Sequence, residues 1–151
     1  MSTLNDVYRK FGETAEAAQL LETELGNLLL SIEANEAGLF EQQNKELAQQ
    51  IVNKINKSTL GNLLKKVEAK MGGVAATSIL ENALKERNRL SHSFYREHNF
   101  QRNSPEGCKV MLADLEKMHE TILEAYKFAL ALAGFDIESL ELPLPIDPMP
   151  I

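Results

Sequence analysis

The sequence contains no tryptophan and one cysteine, Cys108. A lone cysteine excludes an internal disulfide and fits a reducing compartment. It and the three histidines are scattered at spacings that match no ligand set, so no metal site is expected. No glycine-rich phosphate loop follows a strand pattern and no nucleophile elbow is present, which removes the common nucleotide-binding and serine-hydrolase readings and leaves no cofactor to expect. No apolar run approaches the roughly 18 residues of a membrane span. The amino terminus, MSTLNDVYRKF, lacks the apolar core of a signal peptide, so a cytoplasmic protein without a membrane partner is expected. Proline is almost absent before the carboxyl terminus, since four of the five lie beyond residue 134.

What remains is rich in helix formers. With 151 residues, 44% hydrophobic and 25% charged, the chain is long enough for one domain with a core. Thr3 with Asp6 reads as a capping box. Leu4, Val7, Phe11, Ala18, Leu21, Leu25, Leu28 and Ile32 then keep a three-four spacing to about residue 33, one apolar seam along a long helix. Gly12 and Gly26 weaken that helix or let a neighbour approach. Asn35 to Gly38 is a break, and Leu47, Ile51 and Ile55 mark a second helix over about 41 to 56. Ser58 is placed to cap a shorter helix bearing Leu60, Leu63, Leu64 and Val67, closed by Gly72-Gly73. A long helix through Leu80, Ala83, Leu84, Leu90 and Phe94 follows, then the loop Asn-Phe-Gln-Arg-Asn.

Ser104 and Pro105 start the last helix, which runs to about Ala133 with Gly134 as its stop. That helix carries two apolar stripes, the mark of a bundle interior or a subunit interface. The expected fold is all-α: an up-and-down bundle of four long helices and one short one over residues 1–134. The proline-rich tail, 135–151, is expected to lie as an extended strap.

Net charge is −6, but it is unevenly spread. Residues 54 to 102 hold ten Lys and Arg against four Glu, a local +6 inside an otherwise acidic chain. Either this is a localised phosphate-binding surface, or a basic face that pairs with the acidic helices of the same protein.

The most informative stretch is residues 86–98, ERNRLSHSFYREH. At about 100° per residue, Arg87 falls in the middle of the apolar stripe between Leu80 and Phe94. An arginine cannot shed its charge, so a carboxylate, a second chain or a phosphate is expected to face it. Asn88 and His92 share one flank, with Tyr95 between them and the stripe. Alone, Arg87 reads as a structural ion pair and His92 as a packing histidine. Together, histidine suits removal of a 2′-hydroxyl proton and arginine suits the charge of a phosphorane. RNA cleavage of this kind takes its nucleophile from the substrate. Arg87 and His92 lie about 140° apart on a regular helix, so a distorted helix or a second chain is needed to bring them together.

Arg87-Asn88 followed by His92, on the third long helix of a helical chain, resembles the Arg-x4-His motif of the HEPN family. The resemblance implies a homodimer whose two motifs line one cleft. It further implies a metal-independent endoribonuclease of toxin–antitoxin or phage-defence type, with a cognate antitoxin as a further partner. Arg87 and His92 are then the catalytic residues and Asn88 orients them, while Arg89, Tyr95, Arg96, Lys65, Lys66 and Lys70 guide RNA. Members paired with nucleotidyltransferase antitoxins often carry tyrosine two residues after the histidine, where they are modified; Phe94 stands there, and that regulation is not assigned. The alternatives are a non-catalytic helical interaction or regulatory protein and, third, a DNA-binding repressor built on the helix–Gly-Gly–helix stretch.

Overall fold

A computed structural model describes residues 1–39, 41–71, 74–132 and 134, with backbone alone for residues 71 and 74–77. The described chain is helical and contains no strand. Helix α1 spans Leu4–Glu36, α2 Lys45–Asn56, α3 Leu60–Met71, α4 Val74–His92, α5 Phe94–Glu97 and α6 Pro105–Leu132, with a 3-10 turn at Gln101–Asn103. The Gly72-Gly73 break and the 135–151 tail lie outside the described residues.

Local chemistry sets most of the boundaries. Thr3 accepts from the Asp6 N–H at 3.2 Å while Asp6 accepts from the Thr3 N–H at 2.9 Å, a complete capping box that starts α1. The Asn44 side chain accepts from the Leu47 N–H at 3.1 Å, so α2 starts later than the apolar pattern alone predicts. For α3 the cap is Thr59, which accepts from the Asn62 N–H at 3.2 Å; Ser58, expected in that role, instead donates to the Lys54 carbonyl at 2.9 Å. Ser104 caps α6 as expected, accepting from the Gly107 N–H at 3.0 Å, and Gly134 follows that helix at φ +88°.

The larger departure lies in the motif helix. Leu90 and Phe94 keep the four-residue step of a continuous helix, but α4 ends at His92 and a one-turn helix restarts at Phe94. Ser93 takes φ −138° and ψ −10°, outside the helical region, and its hydroxyl donates to Glu97 at 2.9 Å. Because the restart preserves the phase, Phe94 is still buried. The break is therefore invisible in the apolar spacing.

Two core clusters fix the helix directions. Near one end, Val7 of α1 packs with Leu90, Phe94 and the α6 residues Cys108, Met111, Leu115 and Met118. Farther along, Leu21, Leu25 and Leu29 of α1 meet Leu80 and Ala83 of α4, Ile122, Ala125 and Ala129 of α6, and Leu60, Leu63, Leu64 and Val67 of α3. Hence α1 and α6 lie side by side in one direction and α4 runs against them. The shorter α2 and α3 cover the far half of α1, where Gly26 lets α2 come in: a Cβ there would sit 3.3 Å from Ile55 Cγ2. Along α6 one expected stripe is buried from Cys108 to Ala129, and the second, through Leu112, His119, Leu123, Tyr126 and Leu130, is half-buried.

The 94–104 segment is pressed against the start of α6. A Cβ on Gly107 would collide with the Gln101 carbonyl. Gly107→Ala is expected to cost about 1–3 kcal/mol, because backbone on one side and a helix on the other leave nothing soft to yield. Urea unfolding at constant m-value checks this; an unchanged midpoint would show that the segment is held loosely.

Candidate functional site

The motif residues occupy the outer half of α4 and its junction with α5. Arg87 is not buried as the helical wheel suggests. Its side chain is 28% exposed, and Nη2 lies 3.1 Å from Glu22 Oε1 of α1. Its Nη1 donates to the Oδ1 of Asn88 at 3.2 Å. A carboxylate of the same chain thus faces Arg87, one of the three partners the sequence demands, and part of its donor fork has no partner among the described residues. Asn88 is exposed and turned toward Arg87. His92, in the last turn of α4, is exposed, and its ring makes no hydrogen bond among the described residues. No hydrogen bond or ion pair joins Arg87 to His92 within the chain. The helix stays regular between them, so they diverge as the periodicity predicts.

The expected RNA-guiding residues fall into three groups. Arg96 is exposed and donates from Nη2 to the His92 carbonyl at 2.9 Å, over the end of α4 where cations are favoured. Tyr95 is 37% exposed and lies in an aromatic group, 5.1 Å from Phe11 and 6.4 Å from Tyr8 between ring centres; burial of its ring pushes its hydroxyl up. On α3, Lys65 is exposed and Lys66 half-buried, neither with an ion-pair partner among the described residues, whereas Lys70 is tied to Glu36 of α1 at 2.6 Å.

Arg89 is different again. Its guanidinium meets Glu86 at 2.7 Å, Glu97 at 2.7 Å and Asp114 of α6 at 2.9 Å. The hydrogen bonds Arg89 donates to Glu97, and after them those it donates to Asp114, raise its pKa against the opposing effect of burial. The charge of Arg89 is neutralised within the fold. It joins α4, α5 and α6 at one point.

This ionic knot continues into a group that the sequence does not reveal. His98 Nε2 lies 2.6 Å from Asp114 Oδ2, and its Nδ1 meets the side-chain oxygen of Gln101. The ring also lies against Phe94, with centres 4.8 Å apart and the planes tilted by 57°. His98 and Asp114, with Val110, Ala113 and Lys117, edge a shallow depression of about 550 Å³. Both imidazole nitrogens are already engaged, so this histidine fastens the 94–104 segment to α6 and presents no free nitrogen to a substrate. Only residue spacing could have flagged the pair, and 16 residues across a loop carry no periodic signal.

A second histidine contact ties α1 to α6: Lys10 Nζ lies 2.8 Å from His119 Nδ1. Burial and the Lys10 charge both hold the His119 pKa down, favouring the neutral ring. No group of three or more His, Cys, Asp or Glu among the described residues is arranged to hold a metal ion.

The knot makes stability acid-sensitive. Burial pushes Asp114 up, but hydrogen bonds from His98 and Arg89 and their charges outweigh it and hold the carboxyl below its ordinary 3.8. Arg89, then Ser93, hold Glu97 below its ordinary 4.5. Carboxylates depressed in the folded state stabilise it fully above those ordinary values and lose that contribution as pH falls through the lower, folded ones. Thermal melts are therefore expected to drop steeply below about pH 4, and Asp114→Asn to flatten part of that drop. Arg89→Ala, leaving three carboxylates together, is expected to cost about 1–3 kcal/mol at neutral pH. A wild-type melting temperature unchanged from neutral pH to about pH 3 would contradict the assignment.

No family model, curated protein or solved structure matches the chain, so what this site can do has to follow from its own residues.

Proposed function

We propose that the chain is a metal-independent endoribonuclease of HEPN type, acting as a homodimer in a toxin–antitoxin or phage-defence setting. The observation that carries this reading is that a partly exposed arginine with donors to spare and an unengaged, exposed histidine stand on one helix, with Asn88 against the arginine. His92 in its neutral form takes the proton of the RNA 2′-hydroxyl. The 2′-oxygen attacks the adjacent phosphorus, and Arg87 balances the charge that builds on the phosphorane oxygens. The P–O5′ bond then breaks, and the departing 5′-oxygen takes the proton back from the His92 imidazolium, leaving a 2′,3′-cyclic phosphate and a 5′-hydroxyl end. Asn88 holds the Arg87 fork in place.

Since the two side chains diverge on α4, the cleft is completed by α4 of a second copy, whose His92 meets the first chain's Arg87. Phosphate displaces Glu22 as the arginine's partner when RNA binds. Arg96, Tyr95, Lys65 and Lys66 line the approach, and a cognate antitoxin is the partner that restrains the toxin. Arg89 and Lys70 carry less of this task because carboxylates already neutralise them.

One observation favours a second reading, a non-catalytic interaction module. The Arg87–Glu22 pair already gives the arginine a carboxylate inside one chain. The two readings separate under mutation. Ribonuclease action predicts that His92→Ala lowers cleavage by roughly 10²- to 10⁴-fold with helical CD intact. It also predicts that Arg87→Ala does the same, that EDTA has no effect, and that the products carry 2′,3′-cyclic phosphate ends. An interaction module predicts no cleavage by the wild type, a silent His92→Ala, and an Arg87→Ala whose only effect is lost stability.

A further inference from the structure

Phe100 is the one non-glycine among the described residues with a positive φ, +73°. Holding a side chain there costs about 1 kcal/mol or more, which glycine would avoid. No packing of the side chain among the described residues offsets it. The ring is 75% exposed and belongs to neither core cluster. The backbone around it is nonetheless firmly held, with His98 tied to Asp114 on one side and Gln101 packed against Gly107 on the other. An exposed aromatic on a strained, rigidly supported tip is an arrangement that persists where the ring meets a ligand.

Its surroundings indicate which ligand. Tyr8 and Tyr95 are 46% and 37% exposed and lie edge to face with ring centres 6.4 Å apart. Arg102, two positions after Phe100, donates to the Tyr8 hydroxyl at 3.5 Å. Arg96 reaches back to the end of α4. Neither arginine has a carboxylate partner among the described residues, whereas the carboxylates nearby are largely occupied: Glu97 by Arg89, and Asp6 by the Thr3 N–H and Arg9. Glu106, exposed in the first turn of α6, is the exception. A hydrophobic protein partner would gain nothing from arginines left without carboxylate partners among the described residues. Exposed aromatic rings together with arginines that no described carboxylate neutralises suit unstacked bases and the phosphates that join them.

We infer that Phe100, with Tyr8, Tyr95, Arg96 and Arg102, forms a stacking platform for single-stranded RNA. The inference rests on the ribonuclease reading for the identity of its ligand. Arg96 bonds to the backbone of His92 itself, so a strand held here runs directly to the proposed base.

The test uses a fluorescein-labelled 2′-O-methyl oligouridine, which lacks the attacking hydroxyl and so reports binding apart from cleavage. Phe100→Ala is expected to raise the Kd roughly tenfold or more with no loss of melting temperature, since the ring is exposed. Phe100→Trp should retain binding. Phe100→Gly should bind as weakly as alanine while melting higher, because it relieves the positive φ. Wild-type affinity in Phe100→Ala, no binding by the wild type, or equal and Phe100-independent binding of duplex RNA would each overturn the platform. So would a Phe100→Ala variant whose only defect, by light scattering, is lost self-association. If Phe100-dependent binding occurs but an all-ribose strand is not cleaved, the ribonuclease reading fails and the platform stands; cleavage with Phe100-independent binding gives the converse.

Discussion

The outer end of the molecule depends on how one guanidinium is shared. Arg89 draws Glu86, Glu97 and Asp114 to a single point, and so joins α4, α5 and α6 where the chain reverses. Asp114 in turn holds His98, His98 holds Gln101, and Gly107 lets that segment lie against α6. A half-exposed knot of this kind is worth less in net stability than its contacts imply, since each charge loses solvation to make them. Its effect is geometric. It ends α4 at His92, leaving that ring in solvent, and it sets the backbone on which Phe100 is displayed.

The apolar core supports this arrangement without specifying it. Val7, Leu90, Phe94, Met111, Leu115 and Met118 make a cluster that any three helices of this pattern could form. The continuity of Leu90 and Phe94 across the Ser93 break keeps the core intact while the backbone turns. Core and knot therefore act on different features: packing sets the three-helix frame, and the ionic contacts set what its outer end presents. Arg87 lies farther along α4, where its contact is to α1 through Glu22.

Much of the frame was legible because it is local. The capping box at Thr3, the Ser104-Pro105 start and the buried stripe of α6 follow from spacing of a few residues. The need for an anion beside Arg87 was also legible, because an arginine on an apolar stripe has few other options; which glutamate answers it was not. Glu22 stands 65 positions earlier, on a face defined only once α1 and α4 are packed. The Ser93 break escaped for the opposite reason, since the apolar spacing runs through it undisturbed. Arg89 read as a surface cation because its partners Glu97 and Asp114 lie across a turn and a loop. Phe100 gave no signal at all: its distinction is a backbone angle, which composition and periodicity do not encode.

The central claim is that Arg87 of one chain works with His92 of another. It is tested most directly by mixing two variants, Arg87→Ala and His92→Ala, each inactive alone. In a two-fold dimer with shared sites, a mixed pair contains one site with both residues intact. Unfolding and refolding the variants together should then restore about a quarter of wild-type RNA cleavage, the share set by random pairing. Wild-type cleavage that no mixture of the two variants restores would contradict the shared site and place the chemistry within a single chain.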